Sequence, residues 1–427
     1  MRKLALVALL LALPSMAQAK TLEDLLVEKG VITAGEARGT VDTADARVYW
    51  NDGTRLEFPD NGFTTKINTQ IQSRYNYIDT DDDLHDAGLI VGDISDFNVN
   101  RARLILSGTA LNREFSYKLQ AEFANDSNSS SDTDAAIKDA YIQWEPCEGM
   151  GFRLGQFKTG ISRQFNNGTE TLQIPETSVV SQTFDAGYQS GLRAFYSDLD
   201  DNYSVYASIY NGESDTEGGI AGGEDQGGFD TRHMYDVGLR ANILGRMDPF
   251  QEGDIDMTED LALNVGTTYA YSDSKNNVGY DFFTEGDSHR VSADVNVKYN
   301  GFSLHGEFFW AEFNNDALDA GTKPVGFYTQ LGYFLDPAFE VAARYSYLDC
   351  DNNNVVLGAC SLPGQASADS VNEVALSLNY YFWKHNLKAQ LAYIFLNQDV
   401  YASDIDAYDN NSDVNTNIWM LQLSAYL

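Results

Sequence analysis

Charged side chains recur at every second position along several stretches of the chain. Arg103 follows Arg101 by two residues, and Glu122 follows Lys118 by four. In an extended strand, residues at this spacing point to one face, so the charges form a row. Such a row attracts, repels or hydrogen-bonds ions and does no covalent chemistry by itself. These charges can act on an ion together only if neighbouring strands hold several such rows side by side.

Residue patterns typical of enzymes and metal centres do not occur. The five histidines are scattered without the H-E-x-x-H spacing of a zinc site, and the sequence contains no nucleophile elbow or phosphate-binding loop. Asp79, Asp81 and Asp83 match the start of a calcium loop, but Leu84 and Ile90 stand where that loop needs glycine and glutamate. The sequence therefore predicts no enzyme, cofactor or metal site.

The predicted elements are sixteen segments in which polar and apolar residues alternate. The first is longer than a strand of a soluble sandwich and suits a tilted membrane strand. The sixteen predicted strands are Phe63–Tyr77, Phe97–Ser107, Phe115–Ala124, Ala135–Trp144, Gly151–Lys158, Gln189–Tyr196, Tyr203–Asn211, Met234–Ile243, Leu261–Tyr271, His289–Tyr299, Phe302–Glu312, Val325–Leu335, Phe339–Leu348, Val371–Tyr381, Asn386–Leu396 and Asn415–Leu427.

The connections between these segments alternate between short and long. Asn300-Gly301 is a short connection, whereas Asp79–Asp96 and Asp349–Ser370 are long. Outer-membrane barrels have tight periplasmic turns and longer external loops. The pattern predicts an all-β fold, a transmembrane antiparallel β-barrel of about sixteen strands. Leu244–Asp260 is long although it should be periplasmic, so the strand count is open at that point.

The beginning of the chain has the pattern of a secretory signal peptide. A basic start precedes apolar Leu4–Leu13, and small residues precede a cleavage site after Ala19. Residues 20–60 are predicted to form a periplasmic lead-in with a short helix and a hairpin around Asn51-Asp52-Gly53. The barrel would then occupy residues 61–427, and the apolar face of the last strand would close it in lipid.

Composition excludes several classes of protein. A net charge of −35 argues against nucleic-acid binding, and a mean hydropathy of −0.34 with frequent polar interruptions argues against a transmembrane helix. Of the three cysteines, Cys350 and Cys360 are close enough in sequence to close one loop as a disulfide, which leaves Cys147 over.

Several stretches together resemble the O/P family of outer-membrane porins, which is named for phosphate- and polyphosphate-selective members. The resemblance covers nearly all of the mature chain. It is carried by Arg101–Leu104, Tyr117–Glu122, Lys138–Tyr141, Leu154–Lys158, Ile209–Glu213, Gly326–Phe334, Arg344–Asp349, Leu378–Tyr381 and His385–Lys388, with Leu25–Glu36 in the lead-in.

The resemblance implies a porin of the Gram-negative outer membrane. It implies sixteen strands, a homotrimer in lipid and lipopolysaccharide, and passive diffusion of small hydrophilic solutes through each protomer. It also implies that the third external loop, here Thr159–Tyr188, folds inward and narrows the pore. In phosphate-selective members, arginines and lysines along the pore replace the hydration of the anion.

The polar faces of the predicted strands supply the candidate pore lining. The charged residues on these faces either form a ladder that conducts anions, or they pair with each other across strands in the wall of a water-filled pore. Its members are the basic residues Lys66, Arg74, Arg101, Arg103, Lys118, Arg290, Lys298, Arg344 and Lys388, and the acidic residues Glu122, Asp294, Glu307, Glu340 and Glu373.

The inward loop itself carries little positive charge. The loop contains one basic residue, Arg163, with Lys158 at its base, and three acidic residues, Glu170, Glu176 and Asp185. A narrow passage of low dielectric magnifies the charge that lines it, so this composition predicts no strong phosphate selectivity.

The predicted external loops are strongly acidic, notably at 79–83 and 213–230. Their charge would concentrate cations near the pore, keep the protein soluble, or bridge to lipopolysaccharide through divalent ions. The alternative to a porin is an adhesin or receptor-type barrel without a conducting role.

Overall fold

The computed structural model describes residues 46–59, 62–80, 93–111, 113–124, 135–200, 202–211, 233–275, 285–315, 320–351, 368–400 and 412–427. The predicted signal peptide, the lead-in helix, Cys360 and most of the acidic loops lie outside these residues. Among the helices in these ranges, none has the length and apolar character needed to cross a membrane.

The described chain consists almost entirely of β-strands, with two short helices in one connection. The helices are α1 (Arg163–Asn166) and α2 (Val179–Phe184). The strands are β1 (Arg47–Trp50), β2 (Thr54–Phe58), β3 (Phe63–Thr80), β4 (Ile94–Ala110), β5 (Phe115–Glu122), β6 (Ala136–Cys147), β7 (Met150–Lys158), β8 (Tyr188–Ser197), β9 (Tyr203–Tyr210), β10 (Met234–Leu244), β11 (Ala262–Lys275), β12 (Glu285–Tyr299), β13 (Phe302–Asn315), β14 (Ala320–Thr322), β15 (Val325–Asp336), β16 (Phe339–Asp349), β17 (Ala368–Trp383), β18 (Leu387–Val400) and β19 (Ser412–Tyr426).

Sixteen of these strands, β3–β13 and β15–β19, close into one antiparallel barrel. Each pairs with the next along the chain, and β19 pairs with β3 from Thr416↔Thr80 to Tyr426↔Gln70. Closure leaves no sheet edge unpaired in the wall, as a structure in lipid requires. The predicted sixteen-stranded barrel is confirmed, and each predicted strand is present. The long 245–261 connection does not change the strand count, since it simply joins β10 to β11.

Side chains alternate between an apolar exterior and a polar interior. On β3, Ile71 is 52% exposed while its neighbours Gln70 and Gln72 are buried; on β17, Leu376 is exposed while Glu373 is buried. A soluble protein shows the reverse pattern. Here the outer face of each strand contacts lipid, while the inner face contacts water or polar protein.

A small hairpin lies at the start of the barrel. β1 pairs with β2 from Arg47↔Glu57 to Trp50↔Thr54, and β2 continues the sheet along the first residues of β3. The C-terminal Leu427 exchanges two backbone hydrogen bonds with Thr69. The hairpin and the chain end therefore occupy successive stretches of one edge of β3.

The short turns lie at the end of the barrel opposite the 159–187 connection. Between β12 and β13, Asn300 and Gly301 have φ values of 47° and 81°, the left-handed conformation that a tight two-residue hairpin requires. Cys147, at the same end, is free and exposed, whereas Cys350, at the opposite end, is buried and disulfide-bonded.

Candidate functional site: the lumen

The 159–187 segment leaves β7 and returns to β8, and its two ends are tied together. Thr159 donates its backbone N–H to the carbonyl of Gly187 at 3.0 Å. The Asp185 carboxylate accepts from the Thr159 hydroxyl at 2.9 Å and from the Gly187 N–H at 2.8 Å. The segment is therefore a closed loop on a fixed base.

Ser162 caps the start of helix α1, and its hydroxyl accepts from the N–H of Phe165. The Glu307 carboxylate, from the inner face of β13, accepts from the N–H groups of Arg163 at 2.6 Å and Gln164 at 3.3 Å. A carboxylate at free helix N–H groups is stabilising. The first turn of the segment is thus fixed to the polar inner face of the barrel.

Helix α2 anchors the segment through apolar contacts. Val180 is 0% and Phe184 is 1% exposed, and the ring of Phe184 stacks on Phe309 of β13 with centroids 5.1 Å apart. Each such buried side chain contributes about 1.5–3 kcal/mol. The Glu373 carboxylate of β17 also accepts from the Val179 N–H at 3.1 Å. An apolar patch inside the otherwise polar lumen thus holds α2.

Between the helices, the backbone of the segment is held by the wall. Lys388 of β18 donates its ammonium to the carbonyl of Leu172 at 2.6 Å. Gln173 donates its side-chain amide to Glu340 of β16 at 2.6 Å and to Ser303 of β13 at 3.0 Å. Together with the helices, these contacts cover the inner faces of β13 and β15–β18.

The charges under the segment are paired. Arg344 of β16 and Glu373 of β17 form an ion pair in which the side chains are 0% and 4% exposed. Arg240 of β10 donates two hydrogen bonds, of 2.8 and 2.7 Å, to the carboxylate of Asp294 on β12. Arg163 is buried and donates to the Tyr328 hydroxyl and the Pro249 carbonyl. Arg163 and Arg344 are therefore closed to a solute, while Arg240, whose side chain is 16% exposed, directs both of its guanidinium NH₂ groups to Asp294.

On the wall formed by β3–β6, the side chains of Arg101, Arg103 and Lys118 are partly exposed, whereas Arg74 is buried. Arg103 pairs with Glu122, and Lys118 pairs with Asp139 at 2.8 Å. Arg74 pairs with Glu176 at the rim of the segment, and Arg101 lies 3.9 Å from the same carboxylate. We call Arg74, Arg101, Arg103 and Lys118 the basic cluster. The segment reaches this wall through Thr169 and Glu176 and leaves the other three cations of the cluster partly exposed.

Comparison with known sequences identifies the chain. Residues 65–424 match the family model "Phosphate-selective porin O and P". The chain belongs to this porin family. No curated protein sequence matched it.

Solved outer-membrane proteins share the fold of this porin. The trimer form of Vibrio cholerae OmpT is 13% identical, with 86% of this chain and 99% of that chain covered at a TM-score of 0.53. The anion-selective porin from Comamonas acidovorans is 12% identical, covering 86% and 100% at 0.52. Salmonella typhi OmpF in complex with daunomycin is 12% identical, covering 89% and 100% at 0.53. The family and the shared fold place the porin in the Gram-negative outer membrane.

The remaining predicted pore residues occupy different places in the porin lumen. Lys66 and Glu170 are half-buried, and Arg290 and Lys298 are buried on β12, where Arg290 lies over the ring of Phe313. Lys158 donates its ammonium to the carbonyls of Phe165 at 2.6 Å and Asn167 at 3.0 Å, and so positions α1.

Burial and ion pairing change the pKa values of two acids in the segment. Burial tends to raise the pKa of Glu176, but the guanidinium groups of Arg74 and Arg101 outweigh it and hold that pKa below its ordinary value. Burial raises the pKa of Asp185 to about 7, and its second carboxylate oxygen has no hydrogen-bond partner within the part of the chain that the structure describes. Glu176 is therefore a permanent charge at the rim, and Asp185 titrates near neutrality.

Several lumen residues were absent from the sequence prediction. Asp236 and Arg240 lie on one face of β10, and Asp139 on β6 forms an ion pair with Lys118, so the two-residue repeat alone could have identified all three. Glu252 lies in the 245–261 connection, where no repeat indicates the direction of a side chain.

Proposed function

We propose that this porin lets small hydrophilic solutes cross the outer membrane by passive diffusion, with a weak preference for anions. The path runs beside β4 and β5. The observation that carries the proposal is the uneven exposure of the lumen cations. The side chains of Lys118, Arg101 and Arg103 are 32%, 17% and 11% exposed, whereas Arg344 and Lys388 on the other wall are buried.

The preference is weak because each exposed cation has a carboxylate beside it. Glu122 and Asp139 are 10% and 7% exposed beside Arg103 and Lys118 at 11% and 32%, and Glu176 is 28% exposed beside Arg101, so the excess of exposed positive charge rests mainly on Lys118. Strong phosphate binding needs several cationic donors free of protein acceptors. Arg103 already donates to Glu122, which leaves fewer donors for a solute.

The assembly that we propose is a homotrimer in lipid and lipopolysaccharide. The related fold of Vibrio cholerae OmpT has been solved in a trimer form. The outward faces of the strands carry exposed apolar residues such as Leu376, Leu421 and Leu423, which suit either lipid or a neighbouring protomer.

Planar-bilayer recording of the refolded protein tests the proposal. We expect stepwise, stable conductance and a reversal potential in a KCl gradient that indicates a slight excess of chloride current. Lys118→Gln should move the reversal potential toward potassium, because it removes the most exposed cation of the basic cluster. Lys323→Gln removes an equal charge whose side chain is 60% exposed beside Glu312, and should leave the reversal potential unchanged.

Three results would each contradict a different part of the proposal. Absence of any channel from a correctly folded barrel would favour the receptor or adhesin alternative. A potassium preference in the unmodified porin would overturn the anion preference. Block of the chloride current by micromolar phosphate would show a binding site stronger than the paired cations on this wall provide.

A further inference from the structure

A fully buried carboxylate lies where two connections meet inside the barrel. Glu252, in the 245–261 connection between β10 and β11, is 0% exposed. One of its oxygens accepts from the side-chain amides of Gln164 at 3.0 Å and Asn167 at 3.1 Å. The other accepts from the Gln173 N–H at 2.8 Å and the Gln330 side chain at 2.7 Å. Four donors thus converge on one side chain.

Glu252 and three of its donors come from two connections that enter the lumen from opposite ends, and the fourth donor, Gln330, lies on β15. Gln164, Asn167 and Gln173 belong to the 159–187 segment, which joins β7 to β8, while the 245–261 connection lies at the end with the short turns. Further contacts join the two connections, since Arg163 donates to the Pro249 carbonyl at 2.8 Å and Thr171 donates to the Phe250 carbonyl at 3.3 Å. Glu252 is at the centre of this junction.

The surrounding wall fixes the position of Glu252. Nε2 of His305 on β13 donates to the Glu252 carbonyl at 2.7 Å. A Cβ added at Gly253 would lie 2.7 Å from Oε1 of Glu340, so this position admits only glycine without a shift. Asp254 accepts from the N–H of Gly301 in the β12–β13 turn at 2.7 Å. The connection is therefore held against β13, β16 and the β12–β13 turn at the residues around its carboxylate.

A carboxylate suits this junction because it only accepts hydrogen bonds. Four neutral donors face it, and no cation forms an ion pair with it among the described residues. A glutamine of the same shape would direct an NH₂ group at two of these donors, and the buried donors would lose their acceptor, which costs far more than an exposed hydrogen bond. Shape alone therefore cannot replace the charge.

We propose that Glu252 is a positioning residue that locks the 159–187 segment to the 245–261 connection, so that both together form the constriction. This rests on the proposed porin function. In the intact protein the junction keeps the segment from shifting across the lumen, since Glu252 holds Gln164, Asn167 and Gln173 in place beside Gln330 of β15. The width and the steadiness of the pore then depend on an acid that touches no solute.

Single-channel recording of Glu252→Gln tests this role, with Glu259→Gln as the matched control. Glu259 lies exposed in the same connection and loses the same charge. We expect Glu252→Gln to change the open conductance by roughly a factor of two and to add rapid current fluctuations, because a released segment samples several positions in the pore. Glu259→Gln should behave as the unmodified porin.

A cross-link separates positioning from general damage to the fold. Thr171→Cys with Phe250→Cys joins the two connections where they already touch, and in the Glu252→Gln background its oxidation should restore a steady current that a reductant abolishes. Heat-modified migration in gel electrophoresis verifies that each variant forms a barrel. A folded Glu252→Gln channel with unchanged conductance and noise would overturn the proposal, and so would a cross-linked channel that stays noisy. A silent unmodified protein would instead refute the porin function.

Discussion

Arg74 on β3 and Glu176 in the 159–187 segment form an ion pair at the rim of the lumen. The same guanidinium donates to Gln422 of β19, so one side chain joins the first and last strands of the barrel to the segment. Glu176 is 28% exposed and Arg74 is 4% exposed. The acid is therefore the member of the pair that faces the path of a solute.

Glu176→Gln should increase the preference of the pore for anions. The change removes a permanent negative charge beside the basic cluster, where the carboxylate opposes anion entry. A unit charge about 7 Å from a passing ion in water corresponds to about 0.6 kcal/mol, with opposite sign for an anion and a cation, so the anion-to-cation permeability ratio should change roughly eightfold. The reversal potential in a KCl gradient measures this ratio.

Glu148→Gln is the control for this experiment. Glu148 lies exposed in the turn between β6 and β7 and carries the same charge away from the basic cluster. Equal shifts in both variants would mean that net charge, and not the rim position of Glu176, sets the selectivity.

Arg344→Met should destabilise the barrel strongly. The variant leaves Glu373 buried without its cationic partner, and loss of one member of a buried pair costs about 3–5 kcal/mol. Glu373 also accepts from the N–H of Val179, so α2 should loosen as well. Urea unfolding in lipid vesicles, followed by tryptophan fluorescence, gives the change in free energy of unfolding.

Two further variants check the cause. Arg344→Met with Glu373→Met replaces both charges and should be less unstable than the sum of the single variants. Arg246→Gln removes an exposed pair with Asp200, with side chains 62% and 78% exposed, and should have little effect. Equal losses for Arg344→Met and Arg246→Gln would contradict the burial argument.

Asp185→Asn should remove a pH dependence from stability. Burial raises the pKa of Asp185 from 3.8 to about 7, so between these values the folded protein holds a proton that the unfolded chain has lost. Rising pH then lowers stability across this window, and the cost is complete above pH 7. The variant should be more stable than the unmodified porin at pH 8 and similar to it near pH 4.

Thermal unfolding in detergent at several pH values measures this difference. Asp260→Asn, at an exposed position in the 245–261 connection, serves as the control and should follow the unmodified porin at each pH. A gap between the porin and Asp185→Asn that stays constant from pH 4 to pH 8 would exclude titration of Asp185.

The barrel could be predicted from the sequence because its signal is local. Each strand alternates residue by residue, and the period survives even where a strand such as Phe63–Thr80 extends three residues beyond the predicted end at Tyr77. The residue-by-residue alternation breaks down at one point on β4. The register between β3 and β4 shifts between Gln72 and Ser73, so Asn100 has no register partner. Beyond such a bulge, a residue at an even spacing along the strand points to the opposite face of the sheet.

The lumen could be predicted only in part, because its geometry depends on contacts distant in sequence. Charge along the 159–187 segment suggested an acidic constriction, but the cations nearest Glu176 are Arg74 and Arg101, which β3 and β4 supply. The long 245–261 connection stood out only by its length. Its link to the segment through Glu252 joins residues about eighty positions apart, which no repeat in either connection indicates.

Gly160→Ala should loosen the base of the 159–187 segment. A Cβ at Gly160 would collide with the ring of Tyr206, whose hydroxyl donates to the Gly160 carbonyl at 3.1 Å. The rigid ring and the backbone must separate, and overpacking of this kind costs about 1–3 kcal/mol. Limited proteolysis should then cut the segment faster than in the unmodified porin. At Gly306 an added Cβ would lie 3.5 Å from Cγ1 of Val295, an ordinary contact, so Gly306→Ala should be tolerated, and equal sensitivity of both variants would contradict the steric argument.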